Sequence, residues 1–228
     1  NISLQHGDII KALLLKYPQN SDDPDKPFVL LDNSPQLQYI AKSNLVVSQN
    51  NKVEPLVLDF KSEFSNYELK HDQEKLIISL QGQTEEGLQV SKEFILTRGS
   101  YLIDVQYKIK NNADATWQGF FNTQLMQTSP KEDKSSIFHV GSFTGASYSN
   151  PGKTKYQKIG FSDMAKAHLE LDSSGGWIAM QQHYFLTAWV PQPDTSNTFY
   201  TRTAHDEYII GAVSRPLDVY RLTPVPGA

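Results

Sequence analysis

Gly175-Gly176-Trp177-Ile178-Ala179-Met180-Gln181-Gln182-His183-Tyr184-Phe185-Leu186-Thr187-Ala188-Trp189-Val190-Pro191 is the densest apolar and aromatic run in this 228-residue chain. It holds two of the three tryptophans. Periodicity alone leaves it ambiguous. Trp177, Gln181, Phe185 and Trp189 recur at helical spacing, yet the same residues also make two consecutive strands. In the strand reading Trp177 and Ala179 face one way, Ile178 and Met180 the other. Composition favours strands: the run is rich in Trp, Tyr, Phe, Ile, Val and Thr, and a double glycine and a proline fence it. The expectation is a pair of inner strands whose aromatic residues fill a core, with Trp177, Met180, Tyr184, Phe185 and Trp189 as structural core residues. Alanine at Trp177 or Trp189 is then expected to cost about 3–5 kcal/mol.

Outward from that run, the dominant period is two. Tyr101, Ile103, Val105, Tyr107 and Ile109 alternate with Leu102, Asp104, Gln106, Lys108 and Lys110, a half-buried strand with a wet outer face. Leu56, Leu58 and Phe60 repeat the pattern, as do Leu76, Ile78 and Leu80. So do Leu88, Val90, Phe94 and Leu96, with Lys92 interrupting the inward row. Tyr208, Ile210 and Ala212 give another strand, then Leu217 and Val219. Arg98-Gly99-Ser100, Glu86-Gly87 and Asn111-Asn112 supply turns. Closely spaced strands with hairpin turns predict an all-β fold, a large antiparallel β-sandwich with little helix. The one helical segment expected is a turn or two over residues 163–167, with Ser162 as cap. Residues 18–27 and 129–136 read as polar, proline-containing loops too short for domain linkers. One domain over residues 1–222 is expected, with residues 223–228 as a frayed tail.

A chain of this length buries roughly 70–75% of its unfolded surface and needs no staple. It has no cysteine, which excludes disulfides and thiolate metal sites. The net charge of −4 comes with no basic stripe, which argues against nucleic-acid binding. No apolar run reaches the ~20 residues of a membrane helix. The abrupt start at Asn1-Ile2-Ser3-Leu4 reads as a segment cut from a longer chain.

Sequence signals for chemistry are weak. The six histidines do not pair at metal-ligand spacing, and His168-Leu169-Glu170 and His205-Asp206-Glu207 are pairs that chance supplies. There is no Gly-x-Ser-x-Gly elbow. Asp22-Asp23-Pro24-Asp25 lacks the glycine and distal glutamate of a calcium loop. Gly141-Ser142-Phe143-Thr144-Gly145 reads as a turn into a strand rather than a phosphate cradle. No catalytic residue, metal or cofactor is expected. Aromatic residues make up 11% of the chain, which suits a sugar cleft or a sandwich core alike.

The opening run resembles the corresponding segment of the large periplasmic domain of the bacterial membrane protein insertase family YidC. Further stretches agree in order: Lys92-Glu93-Phe94-Ile95-Leu96-Thr97-Arg98-Gly99-Ser100-Tyr101 followed by Val105-Gln106-Tyr107, then Phe143-Thr144-Gly145-Ala146-Ser147-Tyr148-Ser149. In the latter, Ser147 stands where the family's Gly-Ala-Ala-Tyr-Ser element has its second alanine. Tyr156-Gln157-Lys158-Ile159-Gly160-Phe161 resembles the family's Tyr-x-Lys-x-x-Phe, and Asn197-Thr198-Phe199-Tyr200-Thr201 also fits.

The resemblance implies a twisted supersandwich like that of galactose mutarotase, on the periplasmic side of the bacterial inner membrane. It implies a non-catalytic accessory domain of an insertase and chaperone for membrane proteins. The partners implied are Sec translocon auxiliary subunits of the SecDF type and nascent membrane proteins. It also implies further strand and a helix beyond residue 228. A partner surface is expected within residues 120–156, with Phe143, Tyr148, Lys153 and Tyr156 as contact candidates. The histidine and glutamate of mutarotase-like enzymes find no matching motif, so the fold likeness transfers no activity. A carbohydrate-binding or mutarotase-like domain is the alternative reading.

Overall fold

The computed structural model describes residues 1–35, 37–49, 52–128, 143–182 and 184–221. Among them the strands in chain order are β1 (Ala12–Asn20), β2 (Asp23–Ser34), β3 (Leu37–Gln49), β4 (Lys52–Pro55), β5 (Lys61–Ser62), β6 (Lys75–Gln83), β7 (Leu88–Thr97), β8 (Ile103–Asn111) and β9 (Trp117–Thr128). There follow β10 (Gly145–Asn150), β11 (Thr154–Gly160), the helix α1 (Phe161–Lys166), β12 (Glu170–Ser174), β13 (Trp177–Gln182), β14 (Phe185–Trp189), β15 (Ser196–Ala204), β16 (Glu207–Ser214) and β17 (Leu217–Val219). The fold is all-β, and the opening run is two antiparallel strands, not a helix.

The chain forms two compact units, each assembled from separate segments. No composition shift marks a boundary between them, because each unit takes strands from distant parts of the sequence. The first unit comprises Asn1–Ile2, Asp8–Asn44 and Phe120–Arg215. Its strands lie in two sheets with the orders β1-β2-β3-β9-β16-β15-β12 and β11-β10-β13-β14.

The inner faces of these two sheets meet in one core. Leu31, Tyr39, Ala41, Leu125, Phe199, Ile210 and Ala212 come from one sheet, Ala146, Ile178 and Met180 from the other, and Met164 from α1. This is a β-sandwich: alternate residues of each strand turn inward and exclude water together. The Tyr39 hydroxyl crosses the core to donate to the Met180 carbonyl at 3.0 Å. Burial pushes the Tyr39 phenol well above its ordinary range, so it stays a neutral donor.

The second unit comprises Ser3–Gly7, Leu45–Gly119 and Pro216–Ala228. Its sheet β5-β6-β7-β8 buries Leu80, Leu88, Val90 and Phe94. Lys92 keeps its place in the inward row of β7 and is fully buried. Its ammonium donates to the His6 carbonyl at 3.4 Å and lies 5.3 Å from the ring centroids of Phe94 and Tyr107. The aliphatic stem thus serves as core while the charge faces a carbonyl and two π-faces.

Several sequence expectations are corrected. Residues 18–27 are not a loop: β1 and β2 continue through them as a hairpin whose last pair is Asn20↔Asp23. Pro18 and Pro27 sit opposite each other in an irregular ladder, and Pro18 is on the edge strand of the sheet, where a missing N–H is tolerated. Leu56, Leu58 and Phe60 lie in no strand, although Leu58 and Phe60 are buried. The period-two signal there reports an extended segment, not a ladder. Helix α1 starts at Phe161 with Gly160 as N-cap, so Ser162 lies inside the first turn rather than capping it.

The core expectations also divide. Met180 is fully buried, and Trp189 packs against the same cluster. Tyr184 is not core: it sits in the turn between β13 and β14 with 89% of its surface exposed. Trp177 is half-buried, and the register puts it on the outer face. It pairs with Ser149, out of phase with the core pairs Ala146↔Met180 and Tyr148↔Ile178. Phe185 lies at the rim, its ring 4.4 Å from Phe28 and 5.2 Å from Tyr17. The pair of inner strands is also half right: β13 is inner, but β14 is the edge. The polar run 129–136, His139, His183 and the tail 223–228 lie outside the described residues.

Candidate functional site

The outer face of the sheet β11-β10-β13-β14 carries the most distinctive surface among the expected contact residues. Directly paired residues of antiparallel strands share a face. The rows Ser149↔Trp177, Lys158↔Ser147↔Ala179 and Gly145↔Gln181 therefore point away from the core cluster.

On that face the Tyr156 ring lies 6.0 Å from that of Trp177, and its hydroxyl donates to the Gln181 Oε1 at 2.9 Å. The Lys158 ammonium sits 4.9 Å from the centroid of Phe143 and 5.8 Å from that of Tyr156. The result is a cation held between two aromatic rings, with a third ring and an amide beside it. Lys153 and Lys155 are exposed on and just before β11, so the local charge is positive.

Sequence chemistry builds this arrangement. Gly145 has φ of 152°, and a Cβ there would lie 2.7 Å from the Ile159 carbonyl oxygen and 2.8 Å from the Phe143 ring. Only glycine lets Phe143 fold back onto the sheet at that point. Alternation on β11 then turns Tyr156 and Lys158 to the same side.

The expected contact residues do not all meet. Phe143 and Tyr156 belong to the cluster, Tyr156 with 45% of its surface exposed. Lys153 is exposed in the turn between β10 and β11. Tyr148 is a correction: it points the other way and packs against the core. Sequence reasoning missed Lys158 and Gln181 and took Trp177 for core. A lysine two residues after a tyrosine on a strand was the available signal, since those positions share a face.

Ser147 lies in the same row as Lys158 and is fully buried, and its hydroxyl has no hydrogen-bond partner among the described residues. A buried unpaired hydroxyl costs about 1–3 kcal/mol. Ser147→Ala is therefore expected to stabilise the fold by about 1 kcal/mol, raising Tm by about 2–4 °C in a thermal melt. An unchanged or lower Tm would show that the hydroxyl is satisfied in solution.

Among the described residues no group of three or more His, Asp or Glu side chains is placed to hold a metal ion. No helix among them is long and apolar enough to cross a membrane.

Comparison with known proteins agrees with the motif likeness. The chain is 56% identical over 219 residues to the membrane protein insertase YidC of Legionella pneumophila strain Paris, covering 96% of this chain and 39% of that protein. It is 37% identical over 224 residues to the YidC of Coxiella burnetii strain RSA 493, again over 96% of this chain and 39% of the relative. With the YidC of Methylococcus capsulatus strain Bath it shares 35% identity over 219 residues, 40% of that protein. The chain thus spans about two fifths of the length of these relatives. These relatives weigh against the carbohydrate reading. The family model for the YidC periplasmic domain matches residues 1–222, and the chain belongs to that family.

Proposed function

We propose that this chain is the periplasmic, non-catalytic part of an inner-membrane protein insertase. In this reading it docks Sec translocon auxiliary subunits of the SecDF type and so assists nascent membrane proteins. The observation that carries the reading is the family match over residues 1–222. The relatives' shared name, membrane protein insertase, supports it.

The surface that best fits docking is the cluster of Phe143, Tyr156, Lys158 and Trp177, with Lys153 beside it. Partly exposed aromatic rings give contact area at low entropic cost, and the lysines favour a partner face of negative potential. Charge reversal tests this directly. In a full-length insertase bearing this domain, Lys153→Glu with Lys158→Glu is expected to cut co-purification of the auxiliary subunits at least tenfold. The circular dichroism melt of the isolated domain should fall by no more than about 2–4 °C, because both side chains are exposed and the lost cation–π contacts are worth about 0.5–1 kcal/mol. Undiminished co-purification by the double variant would remove this face as the docking surface.

A further inference from the structure

Among the described residues the first unit has four strand edges, and three of them are guarded against pairing with another chain. β1 carries register irregularities, Pro18 and Lys16. β11 carries Lys155 and Lys158. β12 carries Glu170 and Asp172, which face Arg202 at 3.8 Å and Arg215 at 3.2 Å. Charges, prolines and bulges of this kind are how sheets prevent edge-to-edge association.

β14 has none of them. Its sequence, Phe185-Leu186-Thr187-Ala188-Trp189, contains no charge and no proline, and its pairing with β13 runs through all five residues without a shift. It is the last strand of its sheet, and no strand among the described residues pairs with its outer side. Apolar side chains flank that edge on both faces. Leu186 and, just beyond the strand, Val190 are 49% and 63% exposed. On the opposite face Phe185 stands against the partly exposed Tyr17.

We propose that the edge of β14 is a strand-addition site that takes an uncharged extended segment of another polypeptide, about five to seven residues long. The segment carries aliphatic or β-branched side chains on both faces. Main-chain hydrogen bonds to β14 supply the affinity, while Leu186 and Val190 on one face and Tyr17 on the other set the side-chain preference. A charged residue in the segment would be desolvated against these groups without a counter-charge on the strand.

Size decides against a second copy of this chain as the occupant. Five residues give an edge about 17 Å long, and a sheet is about 10 Å deep, so rigid pairing covers roughly 170 Å² on each side. Stable protein–protein interfaces bury about 1,200 Å² or more in total. An extended segment needs only the edge and can fold its flanks onto neighbouring side chains. This inference stands apart from the docking surface proposed above, since it uses neither Lys158 nor Tyr156.

The test is fluorescence anisotropy of a labelled seven-residue peptide of alternating threonine and valine, titrated with the chain. Saturable binding is expected. N-methylation of every peptide nitrogen, which removes the ladder donors, should weaken it at least tenfold. The double variant Leu186→Lys with Val190→Lys should weaken it at least tenfold as well, with an unchanged thermal melt because both side chains are exposed. Lys158→Glu should leave it unchanged. Absence of binding with the chain at about 1 mM would overturn the proposal, and so would binding that survives N-methylation, which would be apolar adhesion. Sedimentation that shows a dimer dissolved by the Leu186→Lys and Val190→Lys changes would overturn it in favour of a second copy.

Discussion

Gly176→Ala is expected to destabilise the first unit by about 3–5 kcal/mol, enough to leave a marginal domain largely unfolded at 37 °C. Two causes act together. Gly176 has φ of 84°, a conformation that costs a residue with a side chain about 1–3 kcal/mol. A Cβ at that position would also lie 2.1 Å from the Ser149 carbonyl oxygen, so backbone has to move. Overpacking of this kind adds about 1–3 kcal/mol. Ser149 is the cross-strand partner of Trp177, so displacing it strains β10 against β13 where the sheet begins. Urea unfolding of the variant measures the loss. A midpoint within error of the parent would mean that the turn relaxes around the methyl group, and the crowding argument would fail.

Trp189→Ala is expected to cost about 3–5 kcal/mol and Trp177→Ala only about 1–2 kcal/mol, a separation that tests which face each occupies. Trp189 pairs with the fully buried Ile178 on the core side of β13, and its indole N–H donates to the Gln124 carbonyl at 3.0 Å. Removing it opens a cavity between the two sheets and removes that hydrogen bond. Trp177 is on the opposite face, where its main neighbour is the Tyr156 ring. Its loss removes one aromatic pair and some half-exposed area. Denaturant curves for both variants decide the matter. Equal losses would mean that the outer face is as buried as the core.

The cluster of Phe143, Tyr156, Lys158 and Trp177 was partly legible in the sequence. Phe143 and Tyr156 could be named from family-like motifs, and alternation on one strand links Tyr156 to Lys158. Tyr148 and Trp177 could not be placed. Each sits in a strand with buried residues on both faces, where side-chain type does not say which face is outer. Trp177 in particular reads as core by composition. Its face follows from pairing with Ser149, a distant residue in the chain whose register no local pattern encodes. Tyr184 fails for a simpler reason. An apolar run of this length must turn if it is two strands, and the residue at the turn is exposed whatever its hydrophobicity.

What the sequence by itself determined is the fold class and the family. Period-two alternation, turn residues and the scarcity of helical patterns are local signals, and local signals suffice to specify strands. Motif order along the chain sufficed for the family. The tertiary structure alone decided which strand is an edge, which face is outer and which segments share a unit. β10 pairs with β13 across β11, the helix and β12, and the Tyr39 hydroxyl reaches a carbonyl 141 residues away. Such pairings are set by the global fit of two sheets around one core. So β14, half of the run on which the fold turns, reads in sequence as an inner strand. Only the absence of a neighbour on its far side among the described residues makes it an edge.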